Sequence, residues 1–173
     1  GAEHGVLIRD AESLETLHKI DTVIFDKTGT ITTGHLAVTD VLGQDNTLQV
    51  AASLEAKSEH PVARAMVAEA ERRNLALLPV EQFQNHPGRG VSGMINNQHV
   101  AVGSPKLLAE LSINTDDHRE NLERLSQQGK TVVLVGVGAE CVGVIAVADT
   151  IKPSSRQAIE QLRAMNIGVY MIT

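Results

Sequence analysis

The apolar and polar positions of the chain alternate differently at its ends and in its middle. Residues 5–8 and 22–26 are short apolar runs that predict strands, with a helix from about Ser13 to Lys19 between them. A hydroxyl- and glycine-rich connection, Thr30 to Gly34, leads to a predicted strand at 36–43, and Asp45-Asn46-Thr47 reads as the cap of a helix running to about Ala56. Pro61 opens a second helix, with Val62, Met66, Val67 and Ala70 on one face. Residues 79–103 alternate and turn as a meander whose hairpin tip is Asn96-Asn97. Helices at about 104–111 and 116–128 follow, each opened by Ser or Asp, and Gly129 closes the second. The apolar runs 131–137 and 141–148 pair through Gly138-Ala139-Glu140, and a helix from Pro153 to about Met165 precedes a last strand, Val169 to Ile172.

This order predicts an α/β protein of two lobes. Both ends resemble β-α-β pieces of a parallel sheet, while the middle reads as an antiparallel sheet with flanking helices. One lobe is therefore expected to be inserted into the other, with crossings near Thr30 to Thr33 and near Asp149 to Lys152.

Composition narrows the classes of function. The 173 residues are 42% hydrophobic and only 2% aromatic, so the core must be built from Val, Ile, Leu, Ala and Met. A net charge of -6 without any basic run argues against nucleic acid, because binding a phosphate backbone needs clustered cations. No apolar stretch approaches the roughly 20 residues that span a bilayer, so this segment is not expected to lie in a membrane. The single cysteine, Cys141, sits in a strand-like run as a small buried thiol, and no two of the seven histidines have the i, i+4 spacing of a helical metal pair.

The chemistry concentrates in Phe25-Asp26-Lys27-Thr28-Gly29-Thr30-Ile31-Thr32, directly after the run Thr22-Val23-Ile24. Ligands gather at the carboxyl ends of strands in open α/β sheets, and Asp26 is placed at such an end. A carboxylate there can attack a phosphoryl group if cations offset the repulsion. Lys27 supplies one cation, and Mg²⁺ held by the Asp26 carboxylate and the Thr28 carbonyl would supply the other. Gly29 lets the chain turn sharply enough for backbone N–H groups to approach phosphate oxygens. An isolated Asp in this place would ordinarily cap a turn; the full string Asp-Lys-Thr-Gly-Thr outweighs that reading.

With that string the chain resembles the P-type ATPases, and within them the heavy-metal-transporting branch. The resemblance runs from Gly5-Val6-Leu7-Ile8 and Leu14-Glu15 to Met171-Ile172-Thr173. It rests further on Ser58-Glu59-His60-Pro61, on Glu55 in Ser53-Leu54-Glu55-Ala56-Lys57, on Gly88-Arg89-Gly90, on Gly103, and on Asp149-Thr150-Ile151-Lys152-Pro153. A second His-Pro, His86-Pro87, is followed by Gly88 and lacks the helix that gives His60 its context. Ser104 stands where the family has Asn, which puts it in doubt as a nucleotide contact.

The resemblance implies a nucleotide-binding lobe at 33–149, inserted into a haloacid-dehalogenase-like phosphorylation lobe contributed by 1–32 and 150–173. ATP would be held at its adenine by Glu55 and His60 and against the backbone of Gly88, Gly90 and Gly103, with Mg²⁺ as cofactor. Asp26 would accept the γ-phosphoryl group, served by Lys27 and Thr28. Related phosphatases carry a second Asp two residues after the nucleophile; Thr28 at that place implies a longer-lived acyl phosphate. The family continues past Thr173 with Gly-Asp and later segments that complete this site. The chain is therefore expected to be a fragment that binds adenine nucleotide but, alone, neither forms the phosphoenzyme efficiently nor binds the transported metal. Its partners would be the actuator domain and transmembrane helices of the same pump, on whose cytoplasmic side it would lie. Ser-Glu-His-Pro-Val-Ala-Arg-Ala-Met-Val and Ala-Asp-Thr-Ile-Lys-Pro resemble the copper members more than the zinc ones. The competing readings are a haloacid-dehalogenase-type phosphatase and a non-catalytic nucleotide-binding or docking module.

Overall fold

Strands with a period of two can feed two apolar layers at once when small aliphatic residues occupy both sets of positions. The middle of this chain does so. The computed structural model describes Thr16 and residues 18–172. The expected strand at 5–8, most of the expected helix from Ser13 to Lys19, and Thr173 lie outside the described residues.

The described elements run β1 (Thr22–Asp26), β2 (Thr32–Gly43), α1 (Thr47–Glu55), α2 (Pro61–Arg72), β3 (Glu81–His86), β4 (Gly90–Ile95), β5 (Gln98–Gly103), α3 (Pro105–Glu110), α4 (Arg119–Gln127), β6 (Thr131–Val137), β7 (Glu140–Ile151), α5 (Pro153–Ala164) and β8 (Gly168–Ile172). They fall into two compact units. One runs through His35 and resumes at Asp149; the other is Leu36–Ala148.

In the continuous unit, a six-stranded sheet has the order β2-β7-β6-β5-β4-β3, antiparallel through β3 to β7. Val100, Val102, Val135, Ile145 and Val147 join one apolar cluster with Leu48, Leu54 and Met66 of α1 and α2. Ala101, Leu134, Val144 and Ala146, the alternate positions, join a second with Leu107, Leu108 and Leu125 of α3 and α4. The pleat thus sorts neighbouring residues into two separate layers. A β-bulge between Val135 and Gly136 pairs them with Gly143 and Cys141, leaving Val142 opposite no residue. Val142 consequently joins the first cluster while Cys141, half-buried, packs on the second.

α1 is buried along nearly all its length between the sheet and α2, and its buried polar groups are bonded, the Ser53 hydroxyl donating to the Gln49 carbonyl at 2.6 Å and accepting the Leu78 N–H at 2.9 Å. On α2, Val62, Met66 and Ala70 are buried as expected and Val67 is half-buried. The hairpin tip forms at Asn96-Asn97, with φ of 51° and 60° and Ile95 paired with Gln98, a two-residue turn that asparagine tolerates.

Five details differ from the sequence reading. β2 starts at Thr32 rather than 36, and β7 extends to Ile151 rather than 148, since these neighbouring strands continue together past the sheet's apolar part. Asn46 makes no side-chain cap bond; the Thr47 hydroxyl instead donates to the Val142 carbonyl at 3.0 Å. The segment from Asp116 begins as a 3-10 turn, Asp116–His118, and only then becomes α4. The Cys141 thiol is half-buried rather than fully buried.

In the other unit, β1 and β8 pair in parallel, from Thr22 opposite Gly168 to Asp26 opposite Ile172. α5 packs on β8. No helix among the described residues is long and apolar enough to cross a membrane.

Leu54 is 0% exposed, between the sheet and α2. Leu54→Ala is expected to lower the unfolding free energy of this unit by about 2–5 kcal/mol, read from urea denaturation, through lost transfer energy and a cavity.

Candidate functional site

Two groups of polar residues need separate description, one in each unit. In the discontinuous unit, β1 ends on Asp26, which is exposed and whose carboxylate makes no hydrogen bond or ion pair among the described residues. The next five residues, Lys27–Ile31, form an irregular turn in which Gly29 has φ of 77°. A side chain at Gly29 would touch nothing within 4 Å, so glycine serves here for its backbone conformation and not for space.

Thr32 closes the turn. Its hydroxyl lies 2.5 Å from Asp149 Oδ2 and 3.0 Å from the Lys27 carbonyl, and accepts the Gly29 N–H at 3.3 Å. Asp149 also accepts from the Thr33 hydroxyl at 3.2 Å and the Gly34 N–H at 3.0 Å. These donors, the Thr32 hydroxyl foremost, together with the Lys27 charge hold the Asp149 carboxyl below its ordinary range. Lys152 Nζ donates to the Gly29 carbonyl at 2.5 Å, and its backbone N–H to the Ile31 carbonyl at 3.0 Å. The Asp149-Thr150-Ile151-Lys152 segment thus holds the middle and the far end of the turn that follows Asp26.

In the continuous unit, a cavity of about 700 Å³ is lined by Glu55, His60, Gly88, Gly90 and Gly103, five residues predicted from scattered places in the sequence. Its walls also carry an aliphatic stretch from Val62, Val91, Val102, Val132 and Val133 and the ring of Phe83, among polar residues such as Asn85 and Thr131.

The loop Ser58-Glu59-His60-Pro61 is ordered by its own polar atoms. Ser58 N–H donates to the Glu55 carbonyl at 2.8 Å, and the Ser58 hydroxyl accepts the His60 N–H at 3.3 Å. His60 is the N-cap of α2: Nδ1 accepts the Val62 N–H at 3.2 Å, with Pro61 in the first helical turn. This fixes the neutral ring as the Nε2–H tautomer and leaves Nε2 free for a ligand. Capping a helix and facing a ligand are therefore one geometry.

The glycines divide by cause. Gly88 has φ of 70° and would meet nothing within 4 Å if given a side chain, so it serves the turn. Gly90 and Gly103 are cross-strand partners, and a Cβ on either would lie 2.9 Å from Leu107 Cδ2 as well as against backbone oxygens of Val102 or Arg89. Gly103 is small because β4, β5 and α3 pack tightly there, and Gly90 both for that reason and for its φ of 141°. The sequence reading, that absent side chains leave room for a ligand, is completed by this packing cause.

Ser104, in doubt as a ligand contact, is the N-cap of α3: its hydroxyl accepts the Leu107 N–H at 3.4 Å while its own N–H donates to the Arg89 carbonyl at 2.8 Å. Residues that sequence reasoning passed over also line the cavity. His86, whose Nε2 is 2.8 Å from the Ser92 hydroxyl, stands there although its His-Pro opens no helix. Arg89 lies on the same wall, paired to Glu110 at 2.5 Å. Arg89 stands between the predicted Gly88 and Gly90, a local signal for its place, whereas His86 carries none and is brought in by the β3–β4 turn.

Glu55, the last residue of α1, is only 7% exposed. Burial pushes its carboxyl up from an ordinary 4.5 to about 7, a hydrogen bond from Ser58 offsetting a small part.

Among known proteins, the model of the haloacid dehalogenase-like hydrolases matches residues 20–173. The copper-exporting P-type ATPase B of Archaeoglobus fulgidus is 49% identical over 176 residues, covering 99% of this chain and 25% of the relative. The probable copper-importing P-type ATPase A of Enterococcus hirae is 42% identical over 173 residues, covering 100% of this chain and 24% of its own length. The chain thus spans about a quarter of the length of these relatives. A zinc-transporting PIB-type ATPase in its E2.Pi state superposes with a TM-score of 0.87 at 30% identity, over 99% of this chain and 28% of that one. The N-domain of a copper-transporting P-type ATPase superposes with a TM-score of 0.57 at 34% identity, over 65% of this chain and 99% of the domain.

The raised Glu55 carboxyl makes stability depend on pH. Between 4.5 and about 7 the folded chain binds more protons at Glu55 than the unfolded chain, so this contribution is full below 4.5 and is lost as pH rises through 7. Urea denaturation from pH 4.5 to 8 should show wild type losing up to about 3 kcal/mol relative to Glu55→Gln. Glu69, held down at about 2 chiefly by its hydrogen bond from Arg72, works in the opposite sense and only below about pH 4.5, outside that window.

Proposed function

This chain belongs to the haloacid dehalogenase-like hydrolase family and is homologous to the nucleotide-binding and phosphorylation region of copper- and zinc-transporting P-type ATPases; on that footing we propose that it is this region of a copper-exporting pump. Residues 33–149 form the nucleotide-binding lobe, and 1–32 with 150–173 contribute to the phosphorylation lobe. The two compact units, which change at His35/Leu36 and Ala148/Asp149, support that division. The identity to copper-transporting relatives supports copper as cargo. The membrane helices that carry the metal and the actuator domain are its partners in the intact pump, and it faces the cytoplasm.

The observation that carries the reading is the convergence of Glu55, His60, Gly88, Gly90 and Gly103 on one cavity of about 700 Å³, a volume within the usual range for a small-molecule site. Adenine enters this cavity, met by Glu55 and by the free Nε2 of His60, its rings against the aliphatic wall. The acceptor is Asp26: one carboxylate oxygen bonds to the γ-phosphorus as the bond to the bridging oxygen breaks, and ADP leaves.

The residues at Asp26 suit Mg²⁺, which favours one or two carboxylates together with phosphate oxygens and water, and Asp26 is exposed and uncommitted. The Asp26 carboxylate and the Thr28 carbonyl would hold the ion, which when bound neutralises phosphate charge. Lys27 adds a cation from the chain itself. Thr28, unlike a carboxylic acid, cannot deliver general-base help to water, so the acyl phosphate persists.

Calorimetry on the 173-residue chain should show His60→Ala weakening ATP at least about tenfold, the cost of one well-placed hydrogen bond and its stacking contact; unchanged affinity would count against the cavity as the adenine site. In a pump polypeptide containing this segment, Asp26→Asn should abolish the hydroxylamine-sensitive phosphoryl label from ATP. Retained label would remove Asp26 as acceptor.

A further inference from the structure

Glu55 stands out on the cavity wall as a buried acid without a cation. It ends a helix buried along nearly all its length and is itself 7% exposed, and no ion pair among the described residues includes it. The charged and titratable groups facing the cavity come from three places. Lys57, Glu59 and His60 stand on the loop after α1; His86 ends β3 and is engaged with Ser92; Arg89, in the turn before β4, is engaged with Glu110. β6 contributes only Thr131, Val132 and Val133. None of the cations meets the Glu55 carboxylate, so charge there is left to desolvation with only the Ser58 hydrogen bond in return.

The protonation state decides which base edge the group can read. A carboxylate only accepts hydrogen bonds, whereas a carboxylic acid presents one donor and one acceptor side by side. Adenine offers, on its pairing edge, the N6 amino donor beside the N1 acceptor. Guanine offers two adjacent donors there, N1–H and the N2 amino group. The neutral acid therefore matches adenine with two hydrogen bonds, and the anion matches guanine with two and adenine with one.

Building on the nucleotide reading above, we propose that Glu55 receives the base as a neutral carboxylic acid, its O–H donating to adenine N1 and its carbonyl oxygen accepting from N6, so that Glu55 sets both the base selectivity and a proton uptake on binding. The proton comes from solvent and stays on the carboxyl group while the base is bound; no covalent bond changes. The same pairing of donor and acceptor is available from a glutamine amide, which cannot ionise.

The test is calorimetric titration of the 173-residue chain with ATP and with GTP from pH 6 to 8.5, in buffers of different ionisation enthalpy, for wild type, Glu55→Gln and Glu55→Ala. Wild type should bind ATP about tenfold more weakly at pH 8.5 than at pH 6 relative to Glu55→Gln, and should take up about one proton more than that variant at pH 8. Protons exchanged by the phosphates or by other side chains are common to both and cancel in the difference. The ATP-to-GTP preference of wild type should shrink by about tenfold across the same range, while that of Glu55→Gln stays flat. Glu55→Gln should match wild type for ATP at pH 6 and exceed it at pH 8.5, and Glu55→Ala should be weaker than both at pH 6.

Equal proton uptake in wild type and Glu55→Gln, or a Glu55→Gln variant as weak as Glu55→Ala, would overturn the neutral-acid role while leaving the cavity as the adenine site. A Glu55→Ala variant that binds ATP as wild type does would overturn both. Thermal melting of each variant shows whether the fold is retained, and the proton count is read as the difference between wild type and Glu55→Gln.

Discussion

The continuous unit depends on one packing constraint: a single sheet must satisfy two apolar layers with almost no aromatic bulk. Alternate positions on β5, β6 and β7 go to opposite layers, and both are filled by Val, Ile, Leu and Ala. Small branched side chains let the helices approach the sheet closely. That closeness forbids a side chain at Gly90 and Gly103, where β4, β5 and α3 meet. The cavity lies beside this tight region, with the end of α1 and the start of α2 on another wall. Its shape follows from packing before any ligand is considered.

Within such an apolar frame, the polar groups that remain are each held by a small number of bonds. His60 gives Nδ1 to a helix end and keeps Nε2, so capping orients the ring. Ser104 spends its hydroxyl on the α3 cap and its N–H on Arg89. Glu55 is the exception, a carboxyl group without a cation, and its raised pKa is the electrostatic consequence. In the discontinuous unit the logic is reversed: Asp149 collects three donors, and with Lys152 it holds the turn after Asp26. The carboxylate of Asp26 is left without such partners among the described residues. A structural acid is bonded, and the proposed acceptor is free.

Much of this was legible in the sequence because the periodic signals are strong and local. The α2 start at Pro61, the hairpin at Asn96-Asn97 and the β6–β7 pair need only neighbours in the chain to be recognised. What escaped depends on distant contacts. Nothing near Thr32 predicts that β2 begins there, since its hydroxyl answers a carboxylate 117 residues away. Asn46 caps nothing with its side chain, while the Thr47 hydroxyl donates across to the Val142 carbonyl beside a bulge, a contact 95 residues away in the chain. Arg89, between two predicted glycines, was within reach of the sequence; His86 entered the cavity wall through the β3–β4 turn, and a His-Pro without a following helix gave no reason to place it there. The second role of Gly90 and Gly103 was hidden for the same reason, as only register makes them neighbours.

The assignment of the cavity to adenine nucleotide is most directly examined by nuclear magnetic resonance of the 173-residue chain titrated with a non-hydrolysable ATP analogue. The backbone amides of 55–60, 88–90 and 103 should shift most and saturate together, while those of α4, on the opposite layer of the sheet, stay in place. Largest shifts on the α3–α4 layer, with 55–60 and 88–90 unmoved, would contradict it.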